Sequence, residues 1–235
     1  MTIKSGDVQF AGEVGYLAQP EGGSKAGVVL LTTIYGVNRI IRGYADMLAG
    51  EGFAALIWNY DGGPGLDDMK NPKPALERAH KLDDGAVARM SKCVDHLLNE
   101  VKVTSVATLG FCLGGRYCLM LAADDPRISG SVSYHPTIHE PMPANESVDV
   151  IARAADIPSP VLVLYPGQDR ITKPDTFFRL QASLQTRKTA PTVIHFLPDA
   201  DHGFLHHTDS AVNVAAGKFT RPQVLGFLRA TAQKN

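Results

Sequence analysis

A cysteine between glycines is the residue whose setting most strongly indicates chemistry in this sequence. The segment GFCLG, at positions 110–114, follows an apolar run and precedes a helical pattern. It matches the strand–turn–helix pattern G-x-S-x-G, in which a nucleophile occupies a strained turn and small residues on either side let strand and helix approach each other. The start of the following helix favours a thiolate. We therefore predict that Cys112 is a nucleophile, with the amide of Leu113 facing the oxyanion. A buried, purely structural cysteine is the alternative.

A nucleophile of this kind needs a base, and the base needs an acid that orients it, in the chain order nucleophile, acid, histidine. Asp169 lies just past the apolar run Val161–Tyr165, and His202 lies just past the run Thr192–Leu197. Both therefore stand near the carboxyl ends of predicted strands, where parallel sheets carry their active sites. We predict that Cys112, Asp169 and His202 form a triad.

Other residues compete for the last two roles. Asp199 or Asp201 could be the acid, although carboxylates so close in sequence to His202 are badly placed to reach its Nδ1 atom. His206 or His207 could be the base, although both lie further into the loop. A single histidine or aspartate in a loop is more often a solvated polar residue. Only the chain order and the strand-end positions of Cys112, Asp169 and His202 favour the triad.

These residues have to be positioned by an alternation of strands and helices. The predicted strands cover Gly27–Thr32, Phe53–Trp58, Ser105–Leu109, Ile128–Tyr134, Val161–Tyr165 and Thr192–Leu197. The predicted helices run from a cap at Asn38 to Gly50, from Asp83 or Asp84 to Glu100, and over Gly114–Ala123, Pro174–Thr186 and Arg221–Gln233. This alternation predicts one α/β domain over residues 1–235, with a doubly wound, mainly parallel sheet and helices on both faces.

Composition excludes several classes of protein. The 235 residues are 44% hydrophobic and 20% charged, and 23 Lys+Arg against 24 Asp+Glu give a net charge of −1. These are ordinary globular values without the basic patch that nucleic-acid binding requires, so we expect no nucleic-acid partner. Apolar runs such as Ala54–Trp58 are far shorter than the ~20 residues of a membrane span. The first residues also lack the apolar core of a signal peptide, and the three cysteines form no disulfide pattern, so we expect a cytoplasmic protein.

Metal and nucleotide chemistry is weakly represented. His202 and His206, or His135 and His139, could contribute to a zinc site, but neither pair is completed by a cysteine or carboxylate motif. The glycine-rich segment GGPG at 62–65 lacks the spacing of a phosphate loop. We predict no metal ion and no cofactor.

Four segments together resemble the dienelactone hydrolase family of α/β-hydrolases over nearly the whole chain. They are Thr33–Asn38, Gly110–Gly115, Gly167–Asp169 and His202–Phe204. The resemblance implies an α/β-hydrolase fold, a Cys–Asp–His triad and a second oxyanion amide from Ile34. It also implies hydrolysis of a small ester or lactone through a thioester acyl-enzyme.

The sequence departs from the family pattern at three places. Thr33 stands where the family archetype has a glutamate that helps to ionise the thiol, so activation of Cys112 falls on His202 and the helix. His206 stands where the archetype has an arginine that grips the substrate carboxylate. The archetype's other carboxylate-binding arginine corresponds to a position near Arg78. These changes affect the identity of the substrate more than the hydrolytic chemistry.

Two irregular stretches, Asp61–Pro74 and His135–Val148, are predicted to form the rim of the site. Within it we expect Thr33, Tyr35, Tyr134 and His206 to contact substrate, and His135 and Phe204 to line the pocket as well. Two alternatives to hydrolysis of an ester or lactone remain open. One is a thioesterase or acyltransferase with the same triad, and the other is a non-catalytic binding or redox-sensing module. We expect a small-molecule ester or lactone as partner, no membrane, and a monomer or weak homo-oligomer.

Overall fold

A computed structural model of the chain describes residues 1–78, 83, 85–206 and 210–233. The described residues form one eight-stranded sheet in the order β1-β2-β4-β3-β5-β6-β7-β8. The strands are β1 (Ile3–Phe10), β2 (Glu13–Pro20), β3 (Ala26–Leu31), β4 (Ala54–Trp58), β5 (Ser105–Phe111), β6 (Ile128–Tyr134), β7 (Val161–Gln168) and β8 (Thr192–Asp201). The helices are α1 (Arg39–Gly50), α2 (Lys73–Arg78), α3 (Ala86–Asn99), α4 (Leu113–Asp124), α5 (Val150–Ala154), α6 (Pro174–Gln185) and α7 (Ala211–Ala232).

Burial explains why the central strands are continuously apolar. Every residue of β3 and of β4 is buried, because helices cover both faces of the sheet. One core contains side chains of α3, α4, α5 and α6, and the core on the opposite face contains those of α1 and α7. Strands β3 to β8 pair in parallel with their neighbours, whereas β2 pairs antiparallel with both β1 and β4. The predicted mainly parallel α/β sheet is confirmed.

The predicted elements are present, with corrected ends. Asn38 caps α1 as predicted, and its side chain accepts a hydrogen bond from the amide of Ile41 at 3.1 Å. Helix α3 begins at Ala86 rather than at Asp83, which forms an ion pair instead; Asp84 lies outside the described residues. Helix α7 begins ten residues before the predicted Arg221. Its first half was not predicted because two of the buried positions there, Asn213 and Thr220, are polar. Polar residues at buried positions do not register as an apolar helix face.

The N-terminal hairpin was missed by the sequence analysis. Strand β1 is mostly exposed, so it has no apolar alternation that would predict a strand. Gly12 is the one residue in the sequence that hints at the turn between the two strands. Ala11 and Gly12 both have positive φ, at 47° and 79°, which is the conformation of a two-residue hairpin connection.

No helix within the described ranges is both long enough and apolar enough to cross a membrane. The parallel strands bring the loops that follow them to one edge of the sheet. The segments that follow β3, β5, β6, β7 and β8 all leave from the carboxyl ends of their strands, and these five segments carry the predicted site residues.

Candidate active site

The turn between β5 and α4 holds Cys112 in a strained conformation. Its φ of 58° and ψ of −115° lie in a region that residues with a side chain rarely adopt. A Cβ atom on Gly110 would lie 2.2 Å from the carbonyl oxygen of Gly114, and one on Gly114 would lie 2.1 Å from that of Leu31. Glycine is therefore required at both positions, as the pattern predicts, and the strand and helix approach closely enough to present the thiol at the start of α4.

His202 and Asp169 form a hydrogen-bonded pair beside this turn. The Nδ1–H of His202 donates to Oδ2 of Asp169 at 2.8 Å, and the carboxylate side chain is fully buried. The other carboxylate oxygen accepts hydrogen bonds from the amides of Ile171 and Thr172, at 2.8 and 3.0 Å. Asp169 is thus the partner of His202, and the competing carboxylates Asp199 and Asp201 are not.

The thiol and the imidazole change each other's protonation. Burial raises the pKa of Cys112, but the nearby His202, a hydrogen bond from Thr137 and the amide of Leu113 outweigh it, so the pKa lies below its usual value. Burial lowers the pKa of His202, and the negative charge of Cys112 together with the hydrogen bond to Asp169 raises it to about 10. Among the described residues Nε2 of His202 has no hydrogen-bond partner. The interaction in this conformation is therefore mainly electrostatic, and it favours a thiolate–imidazolium pair.

Thr137 is a functional candidate that the sequence analysis missed. Its Oγ1 lies 3.0 Å from Sγ of Cys112, and its amide donates to the carbonyl of Cys112 at 3.0 Å. The residue follows β6 and is nearly buried. Toward a thiolate the hydroxyl acts as donor, and it lowers the pKa of the thiol. No sequence motif marks this contact, because it depends on the path of the loop.

The two residues whose amides are expected to bind the oxyanion both line the cleft that contains the thiol. Leu113 opens α4, and the amide of Gly114 fixes the turn by donating to the carbonyl of Thr32 at 2.9 Å. Ile34 follows β3, and its carbonyl accepts a hydrogen bond of 2.7 Å from the hydroxyl of Tyr60. Within the described part of the chain, the amide of Ile34 donates to no protein group. It is therefore free to bind a substrate oxygen.

The cleft around Cys112 has two lobes of similar size. The loop lobe, about 700 Å³, is lined by Leu113, Thr137, Pro141, Pro143, Ala144 and neighbouring residues of the loop that follows β6. The histidine lobe, about 770 Å³, is lined by His135, His202, His206, Met69, Arg170 and Asp199 among others. Ile34, Leu76, Cys112 and Ile171 line both lobes. The thiol therefore lies where the two lobes meet.

Most of the predicted contact residues line the histidine lobe, and two predictions were wrong. Thr33, Tyr35 and His206 line it, and so does His135. Tyr134 does not, because the last residue of β6 directs its ring into the core, against Phe111 at a ring-centroid distance of 5.0 Å. Phe204 is buried in the same core, 5.8 Å from Tyr134 between ring centroids.

Arg78 takes a structural role. Its guanidinium binds the carboxylate of Asp61 and donates to the carbonyl of Pro64 at 2.8 Å. It lines neither lobe of the cleft. The arginine is therefore occupied in holding the loop that follows β4.

A second histidine–carboxylate pair, also missed from sequence, lines the loop lobe. Nδ1 of His139 lies 2.7 Å from Oε1 of Glu146, and this hydrogen bond raises the pKa of the imidazole. Glu146 also lies 3.5 Å from Nε of the buried Arg116, which forms a two-pronged ion pair with Asp83. His139 and Glu146 lie in one loop, but Arg116 and Asp83 come from distant segments, so no spacing pattern reveals the network.

Across residues 1–78, 83, 85–206 and 210–233, no group of three or more His, Cys, Asp or Glu side chains is arranged to hold a metal ion. His207, the competing base next to His206, lies outside the described residues.

Comparison with known proteins gives the family. The model of the dienelactone hydrolase family matches residues 14–231 of the chain. A carboxymethylenebutenolidase of Rhodococcus opacus is 32% identical over 190 residues, which cover 80% of this chain and 73% of that protein. A Bradyrhizobium protein assigned as 2-oxo-3-(5-oxofuran-2-ylidene)propanoate lactonase is 29% identical over 230 residues, 95% of this chain and 92% of its own length. The chain matches 66% of the length of an Escherichia coli K12 protein assigned as a carboxymethylenebutenolidase, at 27% identity.

Solved structures agree on the fold. A Klebsiella pneumoniae protein assigned as a dienelactone hydrolase superposes with a TM-score of 0.82 at 23% identity, over 97% of this chain and 99% of that one. A dienelactone hydrolase-like promiscuous phosphotriesterase from metagenomic libraries gives a TM-score of 0.74 at 22% identity, with 97% and 99% covered. The predicted α/β-hydrolase fold is confirmed, and with the match over residues 14–231 the chain is a hydrolase of the dienelactone hydrolase family.

Proposed function

We propose that this protein hydrolyses carboxylic esters or lactones of small molecules with Cys112 as nucleophile, His202 as base and Asp169 as orienting acid. The observation that carries the proposal is the buried Asp169–His202 hydrogen bond of 2.8 Å beside a thiol held at positive φ. Such a nucleophile, base and orienting acid are what acyl transfer requires. The activities named for the Rhodococcus and Bradyrhizobium relatives make a lactone the first substrate to test.

In the acylation step, the thiolate of Cys112 attacks the carbonyl carbon. The carbonyl electron pair moves to the oxygen, and the amides of Leu113 and Ile34 bind the resulting oxyanion. Collapse of the intermediate breaks the bond between carbon and the alcohol oxygen, and the imidazolium of His202 gives that oxygen its proton. The product is a thioester on Cys112 and a free alcohol.

In the deacylation step, neutral His202 removes a proton from water, which attacks the thioester. Collapse of the second intermediate releases the carboxylic acid and restores the thiolate and the imidazolium. Asp169 keeps the imidazole in one tautomer throughout, because its carboxylate accepts the Nδ1–H.

Ionisation of the thiol needs no carboxylate at position 33. Thr33 has no acidic group, but the lowered pKa of Cys112 arises from His202, the hydroxyl of Thr137 and the amide of Leu113. The thiolate therefore forms more readily than that of an ordinary cysteine. This differs from a serine nucleophile, which becomes ionised only as it attacks.

The test is hydrolysis of an aryl acetate and of a dienelactone by the wild type and by Cys112→Ala. We expect the wild type to hydrolyse the aryl acetate and the variant, folded to the same extent by circular dichroism, to lose this activity. Turnover of the dienelactone as well would mean that the replacements Thr33 and His206 are tolerated. Full activity in Cys112→Ala would contradict the proposal.

The same assay separates the alternatives. A transferase with this triad would form an ester or amide when an alcohol or amine is added, at the expense of hydrolysis. A binding or redox-sensing module would turn over neither substrate. If the wild type hydrolyses neither, the hydrolytic proposal is wrong.

A further inference from the structure

We propose that the two lobes divide the substrate, with its acyl part in the loop lobe and its alcohol part in the histidine lobe. The preferred substrates are then linear esters with an extended apolar acyl group and an extended polar alcohol. This inference rests on the proposed hydrolytic function and adds the class of substrate.

The size of the cleft is the first observation behind this inference. Each lobe alone, at about 700 and 770 Å³, lies within the range of ~300–1,000 Å³ that holds a complete drug-sized ligand. A compact lactone would occupy part of one lobe and leave the other empty. Because the acyl and alcohol parts of a lactone belong to one ring, they cannot extend in two directions from Cys112.

The position of the proton donor decides which part of the substrate enters which lobe. During acylation the bond to the alcohol oxygen breaks, its electron pair stays on that oxygen, and Nε2 of His202 supplies the proton. The alcohol must therefore lie on the side of His202. His202 and Gly203 line the histidine lobe and not the loop lobe. The acyl group is left to extend in the opposite direction, past Leu113.

The lining of the loop lobe fits an apolar chain. Leu113, Pro141, Pro143 and Ala144 supply apolar surface. The two acidic side chains in the lobe are both paired with arginines, Glu146 with Arg116 and Glu140 with Arg179. His139 and Lys173 are its remaining charged groups, and both are exposed to solvent.

The lining of the histidine lobe is mixed, and it fits an alcohol that carries both carbon and oxygen atoms. Met69 and Leu76 supply apolar surface, and Arg170 and Asp199 supply charged groups. Hydroxyl and ether oxygens of such an alcohol can hydrogen-bond to the exposed side chains of Arg170 and Asp199, whereas an alkyl chain there would only displace the water that solvates them.

Two substitutions that fill one lobe each test the assignment. Ala144→Trp narrows the loop lobe, and Met69→Trp narrows the histidine lobe. The acyl part is varied with p-nitrophenyl acetate and p-nitrophenyl octanoate, and the alcohol part with methyl acetate and triethylene glycol monoacetate. Ala182→Trp, at an exposed position of α6, is the matched control and should change none of the ratios.

We expect Ala144→Trp to lower the octanoate-to-acetate ratio of kcat/KM about tenfold, with little change in the ratio for the two alcohols. Met69→Trp should lower the ratio of the triethylene glycol ester to methyl acetate and leave the octanoate ratio unchanged. If Met69→Trp changes the acyl ratio instead, or if neither variant changes either ratio, the inference is wrong.

Two controls keep the outcome decisive. If Ala144→Trp does not fold, as judged by circular dichroism, the smaller Ala144→Leu should lower the octanoate ratio in the same direction by a smaller factor. If the wild type hydrolyses none of the four esters, the hydrolytic function fails and the division of the lobes fails with it. If the wild type hydrolyses p-nitrophenyl acetate but the substitutions leave both substrate ratios unchanged, only the assignment of the two lobes is contradicted.

Discussion

Two of the histidines that line the cleft around Cys112 pair with a buried carboxylate. His202 lies 2.8 Å from Asp169 and His139 lies 2.7 Å from Glu146, in both cases through Nδ1. Both pairings raise the pKa of the imidazole. By hydrogen-bond geometry alone, the two pairs cannot be told apart.

Their surroundings differ. The side chain of His202 is 13% exposed and that of His139 is 43% exposed. Glu146 has Arg116 beside it, which compensates its charge, whereas Asp169 has backbone amides and, among the described residues, no arginine or lysine partner. The charge of Asp169 is therefore directed at His202 alone, while that of Glu146 is shared within an ion-pair network.

The comparison teaches that a histidine–carboxylate pair does not by itself indicate catalysis. Chemistry requires a nucleophile coupled to the imidazole, and it requires that the imidazole be shielded from water. On this account the Asp169–His202 pair serves the reaction, and the Glu146–His139 pair, with Arg116 and Asp83, holds the wall of the loop lobe.

The largest expected difference between the pairs is in activity. Asp169→Asn should lower kcat/KM for p-nitrophenyl acetate by about a thousandfold, because the amide no longer fixes the tautomer of His202. The equivalent change Glu146→Gln should lower it by less than about threefold. Equal losses in the two variants would contradict the division of roles.

The same two variants should also differ in the pH dependence of kcat/KM at alkaline pH. Wild-type kcat/KM should rise through the lowered pKa of Cys112 and fall near pH 10, where His202 loses its proton. Asp169 raises the pKa of His202, so Asp169→Asn should move the alkaline fall to lower pH. Glu146→Gln should leave it in place.

The next effect is on stability. Arg116→Met leaves the buried carboxylates of Asp83 and Glu146 without their cation, and it should lower the free energy of unfolding by about 3–5 kcal/mol. Urea denaturation measures this value. Adding Asp83→Asn should recover part of the loss, because one of the unpaired charges is then removed. A change below about 1 kcal/mol would mean that the network does not support the wall of the loop lobe.

The smallest expected effect concerns Thr137. Thr137→Val removes the hydroxyl 3.0 Å from Sγ of Cys112 and should raise the pKa of the thiol, because the thiolate loses a hydrogen-bond donor. The pH dependence of alkylation by iodoacetamide measures the thiol pKa. Thr137→Ser should restore the wild-type value, and an unchanged pKa in Thr137→Val would exclude a role for the hydroxyl.

The central sheet and the candidate triad could be predicted because they follow local rules. Apolar runs bounded by turn residues marked β3 to β8, and the order and strand-end positions of Cys112, Asp169 and His202 indicated their roles. In the structure Asp169 accepts a hydrogen bond from His202, and their role in catalysis stays a prediction.

The remaining features depend on tertiary contacts that no local sequence pattern encodes. Thr137 reaches the thiol, and Glu146 reaches His139, because of the path of the loop after β6, for which no sequence spacing exists. Tyr134 was mistaken for a contact residue because it ends a strand, but the face to which its side chain points is set by the pleat of β6 within the packed sheet.

The most direct test of the central claim is to trap the acyl group. The wild type is mixed with p-nitrophenyl acetate, quenched in acid within the first turnovers, and digested for mass spectrometry. The account predicts one acetyl group on the peptide that contains Cys112, and none in Cys112→Ala. An acetyl group on another residue, or turnover in a variant that lacks Cys112, would contradict the assignment of Cys112 as the nucleophile.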